Sequence, residues 1–275
     1  MKLRKKLSKA FWYWVIALFL IFALFPIYWM FITSLKGFEE VYRLVPSLWP
    51  QKLVWENYIT IFKKYNFGPA LLNSITVALA VSLVSVVLAV FAAYAVVRFR
   101  VRKGIPQVFL ASYLIPRTIL FIPIYIFLSN LGLTNSTKGL LLVYPTITIP
   151  YATWVLIAYF QQLPKELEEA ALVDGATWVQ TIVRVVIPLA KPAIISTFIF
   201  SFTMCWSEYI YALVIISKAT QRTIPIALSS MLVADIIPWG PLMAGAVIAA
   251  FPVMFIYLIG SRYIVSGLAL GSVKG

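Results

Sequence analysis

The sequence predicts an all-α integral membrane protein with six transmembrane helices. Hydrophobic residues make up 62% of the 275 positions and charged residues only 12%, a balance far outside that of soluble globular domains. Apolar stretches of about 20 residues recur along the chain, and this is the length of helix that crosses ~30 Å of hydrocarbon. These stretches are apolar on every side, whereas strands of a membrane barrel alternate apolar and polar residues.

The first predicted span covers residues 11–33 and follows a basic N-terminal segment, residues 1–10. The span is too long for the apolar region of a signal peptide, and no small-x-small cleavage site ends it. We therefore expect a retained signal anchor with a cytoplasmic N-terminus.

Five further apolar runs complete a single six-helix domain over residues 11–264, and a cytoplasmic tail of residues 265–275 follows it. Several prolines within the third and fourth runs predict kinked helices, as transport proteins often show. The five runs are residues 71–97, 105–128, 139–160, 192–216 and 242–264.

The distribution of basic residues supports this topology. Fourteen of the 23 Lys and Arg residues fall in the predicted cytoplasmic segments and eight in the outer ones, as the positive-inside rule requires. The net charge of +14 is therefore mainly a topology signal, with a contribution to contacts with anionic membrane lipid. Nucleic acid is not an expected partner, because the charges are spread over loops on two sides of the membrane.

The chain has few of the residues that commonly act as catalytic groups. It has no histidine and a single cysteine, Cys205, which falls in an apolar run. An intrachain disulfide, a thiolate metal site and the common nucleophilic motifs are therefore excluded. We expect no catalytic residues, no metal and no cofactor.

The central loop, residues 161–191, is a polar island between the fourth and fifth predicted spans. Pro164 suits the start of a short helix, Asp174-Gly175 suits a bend, and Thr177 with Gln180 fits a capping box that opens a second helix. The loop thus predicts two short helices with a bend. It could lie on lipid headgroups or receive a soluble partner. It holds four of the nine carboxylates, at Glu166, Glu168, Glu169 and Asp174.

Two charged residues, Arg117 and Glu208, fall inside predicted spans. A charge near the middle of the bilayer costs about 2.5–3.5 kcal/mol on insertion scales, so each needs a partner or a water-filled cavity. They could form an interhelical ion pair or line a solute path. Trp206 and Tyr209 beside Glu208 would give such a path an aromatic, hydrogen-bonding surface.

The central loop also carries a sequence pattern: Glu-Ala-Ala, three residues, Gly, nine residues, and then an apolar-x-apolar-Pro ending. In this chain the pattern is Glu169, Ala170, Ala171 and Gly175, followed by Val185-Val186-Ile187-Pro188. It resembles the EAA signature of bacterial and archaeal ABC-importer permeases, with Val185 and Ile187 standing where Ile and Leu are usual. Other segments resemble the carbohydrate-uptake branch, in particular permeases of the maltose-transporter inner-subunit type, from about residue 12 to the C-terminus. They include Asn73-Ser74, Ala92-Ala93-Tyr94-Ala95 with Arg98-Phe99-Arg100, Ile122-Pro123-Ile124-Tyr125, Leu131-Gly132-Leu133 and Gly271-Ser272-Val273-Lys274-Gly275.

The resemblance implies a permease of a bacterial or archaeal plasma membrane with both termini cytoplasmic. Its expected partners are a second homologous permease, two cytoplasmic ATPases that hydrolyse the ATP, and an extracytoplasmic solute-binding protein that delivers a sugar. The central loop would act as a coupling helix between helices 4 and 5. Residues alone leave open a sugar phosphate or polyol as solute, or a non-transport membrane enzyme. The residues implied in docking the ATPase are Glu169, Ala170, Ala171, Asp174, Gly175 and Pro188.

Overall fold

The structure is a computed structural model that describes residues 2–99, 104–233 and 235–272. Within these ranges every regular element is a helix. The all-α class predicted from the sequence is confirmed. The predicted basic residues Arg100, Arg102 and Lys103, the end of the tail from residue 273, and the Arg117 side chain lie outside the described part.

Fifteen α-helices are found in the described ranges. The first eight are α1 (Lys2–Ser34), α2 (Phe38–Val41), α3 (Glu56–Tyr65), α4 (Phe67–Arg98), α5 (Ile105–Leu114), α6 (Phe121–Asn130), α7 (Thr137–Val143) and α8 (Pro145–Phe160). The remaining seven are α9 (Glu166–Val173), α10 (Trp178–Thr181), α11 (Ile187–Leu189), α12 (Lys191–Trp206), α13 (Ile210–Ile215), α14 (Ile224–Ser229) and α15 (Trp239–Ser272). Short 3-10 turns cover Arg117–Leu120, Ala219–Gln221 and Ser230–Val233, and a π-helical turn covers Ile182–Val186.

Four helical stretches are long and apolar enough to cross a membrane: Phe11–Ser34, Phe67–Arg98, Thr137–Phe160 and Trp239–Tyr263. Two bent pairs raise the number to six if each pair is counted as one span. In the first pair, Ile105–Leu114 meets Thr118–Asn130 at 81°. In the second, Trp178–Leu189 meets Lys191–Trp206 at 82°.

The chain divides into two compact units. One consists of Met1–Phe67 with Leu228–Phe251, and the other of Gly68–Ala227 with Pro252–Gly275. In the first unit, α1 exposes nearly all of its apolar side chains between Phe11 and Phe31, as a helix surrounded by lipid does.

The segment after α1 is fixed by a buried lysine. The Lys36 ammonium donates to the Ser47 carbonyl and lies 4.5 Å from the centre of the Trp29 ring. Burial lowers the pKa of Lys36 from its ordinary value, and the Glu40 carboxylate opposes that shift. Glu40 in turn accepts hydrogen bonds from the Ser47 hydroxyl and from the Gln51 amide. The loop between α2 and α3 is therefore held against the end of α1.

The second unit has its core where α4, α8, the end of the central loop and the start of α12 pack together. Small residues such as Ala89, Ala93 and Ala152 are fully buried there, which lets the helices approach closely. This core supports the central loop from one side. Its buried members are Val86, Ala89, Val90, Ala93, Tyr94, Ala152, Leu156, Ile157, Phe160, Ile182, Val186, Ala190 and Ala193.

Candidate functional site

The central loop forms two short helices joined by a sharp bend, as the sequence predicts. Helix α9 ends at Val173, and Gly175 follows with φ of 86°. The Gly175 amide donates to the Leu172 carbonyl at 3.1 Å, and the Ala176 amide donates to the Ala171 carbonyl at 3.0 Å. This pair of bonds is the Schellman motif, which uses glycine in the left-handed region to end a helix. Gly175 therefore sets the bend.

The second half of the loop opens with the predicted capping box. The Gln180 amide donates to the Thr177 hydroxyl, and the Thr177 amide donates to the Gln180 side chain at 2.8 Å. The π-helical turn Ile182–Val186 follows, a feature that sequence reasoning missed. After the short helix α11, which contains the exposed Pro188, the chain turns by 82° into α12. If α12 crosses the membrane, the preceding segment lies roughly parallel to its surface.

The three carboxylates of α9 differ in burial. Glu168 is buried and accepts from the Arg98 Nε atom at 2.9 and 3.0 Å, while Glu166 and Glu169 are exposed. The side chains of Arg98 and Glu168 retain only 8% and 5% of their accessible surface. Removing one partner of such a buried pair costs about 3–5 kcal/mol, because the other charge is left without compensation. Sequence reasoning singled out Glu169 but missed this pairing.

The outward surface of the central loop combines charge with exposed apolar groups. Glu169 and Ala170 are exposed, and Val173 at the end of α9 is 87% exposed. Next to the bend lies a cavity of about 330 Å³ whose lining includes Asp174 and Arg184. Exposed apolar groups that lie beside charged groups are typical of a site that binds another protein. The cavity is lined by Ala171, Asp174, Gly175, Ala176, Gln180, Thr181, Arg184 and Val185.

The apolar residues in the second half of the central loop form two stripes. Ile182 and Val186 are buried in the core of the second unit, whereas Val179 and Val183 are about half exposed. Each pair is spaced by four residues, so each follows its own line along the helix. The buried stripe anchors the loop in the core, and the exposed stripe lies on the surface of the loop.

Glu208 lies in a break between α12 and α13, within the fifth predicted span. Its carboxylate accepts three backbone hydrogen bonds, from the amides of Ile210, Tyr211 and Ala212 at 3.0, 3.0 and 3.1 Å. It is 5% exposed. A buried carboxylate at the first turn of a helix satisfies amide groups that have no partner within the helix. The structure therefore gives this charge a structural role as the N-terminal cap of α13.

The other residues predicted for a solute path are placed differently. Trp206 is buried and stacks on Phe202 with ring centres 5.5 Å apart. Tyr209 is 37% exposed. Arg117 begins the 3-10 turn Arg117–Leu120, at the bend between α5 and α6. A role of these residues in the path stays a prediction.

Two asparagines fix the loop of residues 217–222, which the sequence places on the outer side. The Asn135 side chain accepts from the amides of Ser217 and Lys218 at 2.6 and 3.1 Å. The Asn73 side chain donates to the carbonyls of Thr220 and Arg222, both at 3.0 Å. Asn135 has φ of 57°, an angle that asparagine tolerates better than most residues. The loop is thus a preformed surface.

Cys205 is buried, in line with a packing residue. Across the residues that the structure describes, no group of three or more Cys, Asp or Glu side chains is arranged to hold a metal ion.

Comparisons with known proteins agree with this architecture. A family model described as the inner membrane component of binding-protein-dependent transport systems matches residues 85–269. The chain is 36% identical over 276 residues to the inner membrane ABC transporter permease protein YcjP of Escherichia coli (strain K12), with 99% of each chain covered. It is also 36% identical over 260 residues to the trehalose/maltose transport system permease protein MalG of Thermococcus litoralis, with 93% of each covered.

Its fold is similar to that of a bacterial ABC transporter involved in the import of the acidic polysaccharide alginate. The TM-score is 0.75 at 22% identity, covering 94% of this chain and 97% of that chain. The family match overturns the alternative of a non-transport membrane enzyme. The chain belongs to the family of inner-membrane components of binding-protein-dependent transport systems and is a permease subunit of an ABC importer.

Proposed function

We propose that this chain forms half of the translocation path for a sugar or oligosaccharide, and that a second homologous permease forms the other half. The identity to a trehalose/maltose permease over 93% of both chains carries the assignment of the solute class. Two cytoplasmic ATPases power the transport, and an extracytoplasmic solute-binding protein delivers the solute. The N- and C-termini and the central loop face the cytoplasm.

The central loop is the ATPase-docking element in this proposal. Its supporting features are the exposed carboxylate of Glu169, the adjoining Ala170, and the cavity beside the bend at Gly175. In this proposal the cavity receives a side chain of the ATPase, to which Asp174 and Arg184 offer charges of both signs. An exposed carboxylate at the first turn of a helix is stabilised by the helix dipole and remains available to a basic partner.

The outer loop of residues 217–222 is a proposed contact for the solute-binding protein. Its backbone is fixed by Asn73 and Asn135, so little conformational freedom is lost when a partner binds. Lys218 and Ala219 are exposed on it.

A pull-down of the tagged chain from solubilised native membranes tests the assembly. We expect a second permease, an ATPase and a solute-binding protein to co-purify, and we expect ATP hydrolysis to be stimulated by the cognate solute. The panel includes maltose, trehalose, a sugar phosphate and a polyol. If only the sugar phosphate stimulates ATP hydrolysis, the sugar phosphate replaces the neutral sugar as the proposed solute. If the chain is recovered without any ATPase, the docking proposal is contradicted.

The substitution Glu169→Lys tests docking at one residue. We expect it to leave the protein inserted in the membrane but to reduce ATPase co-purification about tenfold, because a charge reversal at an interface turns attraction into repulsion. Glu56→Lys is the matched control. Glu56 is also exposed in the first turn of a helix, α3, on the predicted outer side. Equal ATPase recovery with both variants would show that Glu169 is not part of the docking surface.

A further inference from the structure

The Arg98–Glu168 pair joins two elements that are 70 residues apart in the chain. Arg98 is the last residue of α4, and Glu168 lies in the first turn of α9. Two oxygens of Glu168 receive bonds from one guanidinium, and both side chains are almost completely buried. The side chains of an exposed ion pair can adopt many arrangements. A buried pair in which the guanidinium binds both carboxylate oxygens holds the two side chains in one orientation.

The positions of the two charges also suit the helix ends. A cation in the last turn of α4 and an anion in the first turn of α9 each complement the dipole of their own helix. Arg98 further donates from Nη2 to the Leu163 carbonyl at 3.3 Å, in the turn that leads into α9. One guanidinium therefore holds both α9 and the turn before it.

A second contact ties the other half of the central loop to the same end of α4. Trp178, the first residue of α10, packs edge-on against Phe99 with ring centres 5.2 Å apart. It also lies 6.4 Å from the ring of Tyr94, one turn before Arg98 on α4. Aromatic pairs at these distances contribute beyond simple burial. Both halves of the loop are thus fastened to one helix end.

We infer that Arg98 and Glu168 are positioning residues that lock the central loop to the end of α4. This inference rests on the proposed docking function of the loop. A displacement imposed on the loop by the ATPase then passes directly to α4, and not only through the chain connections to α8 and α12. Helix α4 has 32 residues and a length of about 48 Å, so it carries the displacement across the whole bilayer.

Glu168 and Glu169 have complementary roles in this scheme. Glu169 is exposed and faces the ATPase, whereas its neighbour Glu168 faces the transmembrane helices. Two adjacent carboxylates on α9 therefore connect the partner on one side to α4 on the other. The scheme predicts that their substitutions fail in different ways.

Coupling is measured with the assembled transporter in proteoliposomes, as solute taken up per ATP hydrolysed. We expect Arg98→Glu and Glu168→Arg each to retain the ATPase but to lower this ratio about tenfold, because a like-charged pair repels at the site of a buried ion pair. The double variant Arg98→Glu with Glu168→Arg is expected to recover most of the lost coupling. Arg98→Lys should give an intermediate ratio of uptake to hydrolysis, because lysine keeps the positive charge but cannot donate two parallel hydrogen bonds to the carboxylate. Normal coupling in both single variants would overturn the inference.

A distance measurement tests the lock without relying on transport. Spin labels are placed at Phe91 on α4 and Glu166 on α9, both exposed, in a Cys205→Ser background. We expect the separation to stay the same in nucleotide-free and ATP-bound transporter, and to shift or broaden in Arg98→Ala. A change of separation between the two states in the otherwise native chain would overturn the inference. The docking proposal fails separately, if Glu169→Lys recovers as much ATPase as Glu56→Lys.

Discussion

At the scale of single residues, Glu208 carries a charge whose surroundings were not predictable from hydropathy. The sequence places it in an apolar run and suggests a pairing with Arg117 or a place in the solute path. In the structure both carboxylate oxygens accept backbone amides of α13. These local hydrogen bonds offset part of the cost of burying the charge.

Replacing Glu208 by alanine tests the cap. The substitution removes the oxygens that accept from three backbone amides, and a buried donor that loses its acceptor costs about 1–3 kcal/mol. We expect a lower melting temperature for the purified protein. Glu208→Gln keeps the oxygen position shared by the Ile210 and Tyr211 amides, so its loss should be smaller. An unchanged melting temperature with altered solute preference would instead assign Glu208 to the solute path.

The Arg98–Glu168 pair shows a limit of reading residues one at a time. The sequence shows Arg98 as a basic residue at a cytoplasmic loop and Glu168 as one of three carboxylates at a helix start. Nothing in their spacing distinguishes Glu168 from Glu166 or Glu169. The difference arises because the packing of α4 and α9 buries only one of the three.

At the scale of elements, the central loop was largely predictable because its ends depend on local chemistry. The bend at Gly175 and the capping box of Thr177 with Gln180 both follow from residue types at short spacing. The π-helical turn Ile182–Val186 does not follow from such local patterns. Which apolar stripe is buried depends on the contact of Ile182 and Val186 with the core of the second unit, and this contact involves residues distant in the sequence.

Gly175 offers a test of how the bend directs the loop. A Cβ atom at this position would meet nothing within 4 Å, so only the backbone angle of 86° opposes a side chain. We expect Gly175→Ala to cost roughly 1–2 kcal/mol and to lower the uptake of solute per ATP. Gly175→Asn should lose less, because asparagine adopts the left-handed region more readily. Equal losses in the two variants would point to a direct contact of this position with a partner.

The breaks in the third and fifth predicted spans could not be read from hydropathy. Residues 105–128 and 192–216 are predominantly apolar, with one charged residue in each run, yet the first run bends by 81° and the second is interrupted between Trp206 and Ile210. A hydropathy profile indicates which segments lie in the membrane, but it does not indicate where a helix bends. Pro116 lies at the first break, where it cannot continue a helix from the preceding residue.

At the scale of the whole molecule, class and family were predictable because they rest on sums over many residues. The apolar composition and the spacing of long runs determine that the chain is a helical membrane protein, and the motif of the central loop indicates the transport family. The orientation of the chain follows from the distribution of basic residues, and the resemblance implies the same orientation.

Single-cysteine labelling in intact cells measures the orientation. Cys205→Ser removes the one native thiol, and Val45→Cys or Val173→Cys then adds one at a site that is 81% or 87% exposed. We expect a membrane-impermeant maleimide to label position 45 from outside, and to label position 173 only after permeabilisation, because the positive-inside rule places the central loop in the cytoplasm. Both variants should label in detergent, and expressing the chain without its ATPase keeps position 173 accessible. Labelling of position 173 in intact cells would reverse the topology and remove the central loop from the side where ATP is hydrolysed.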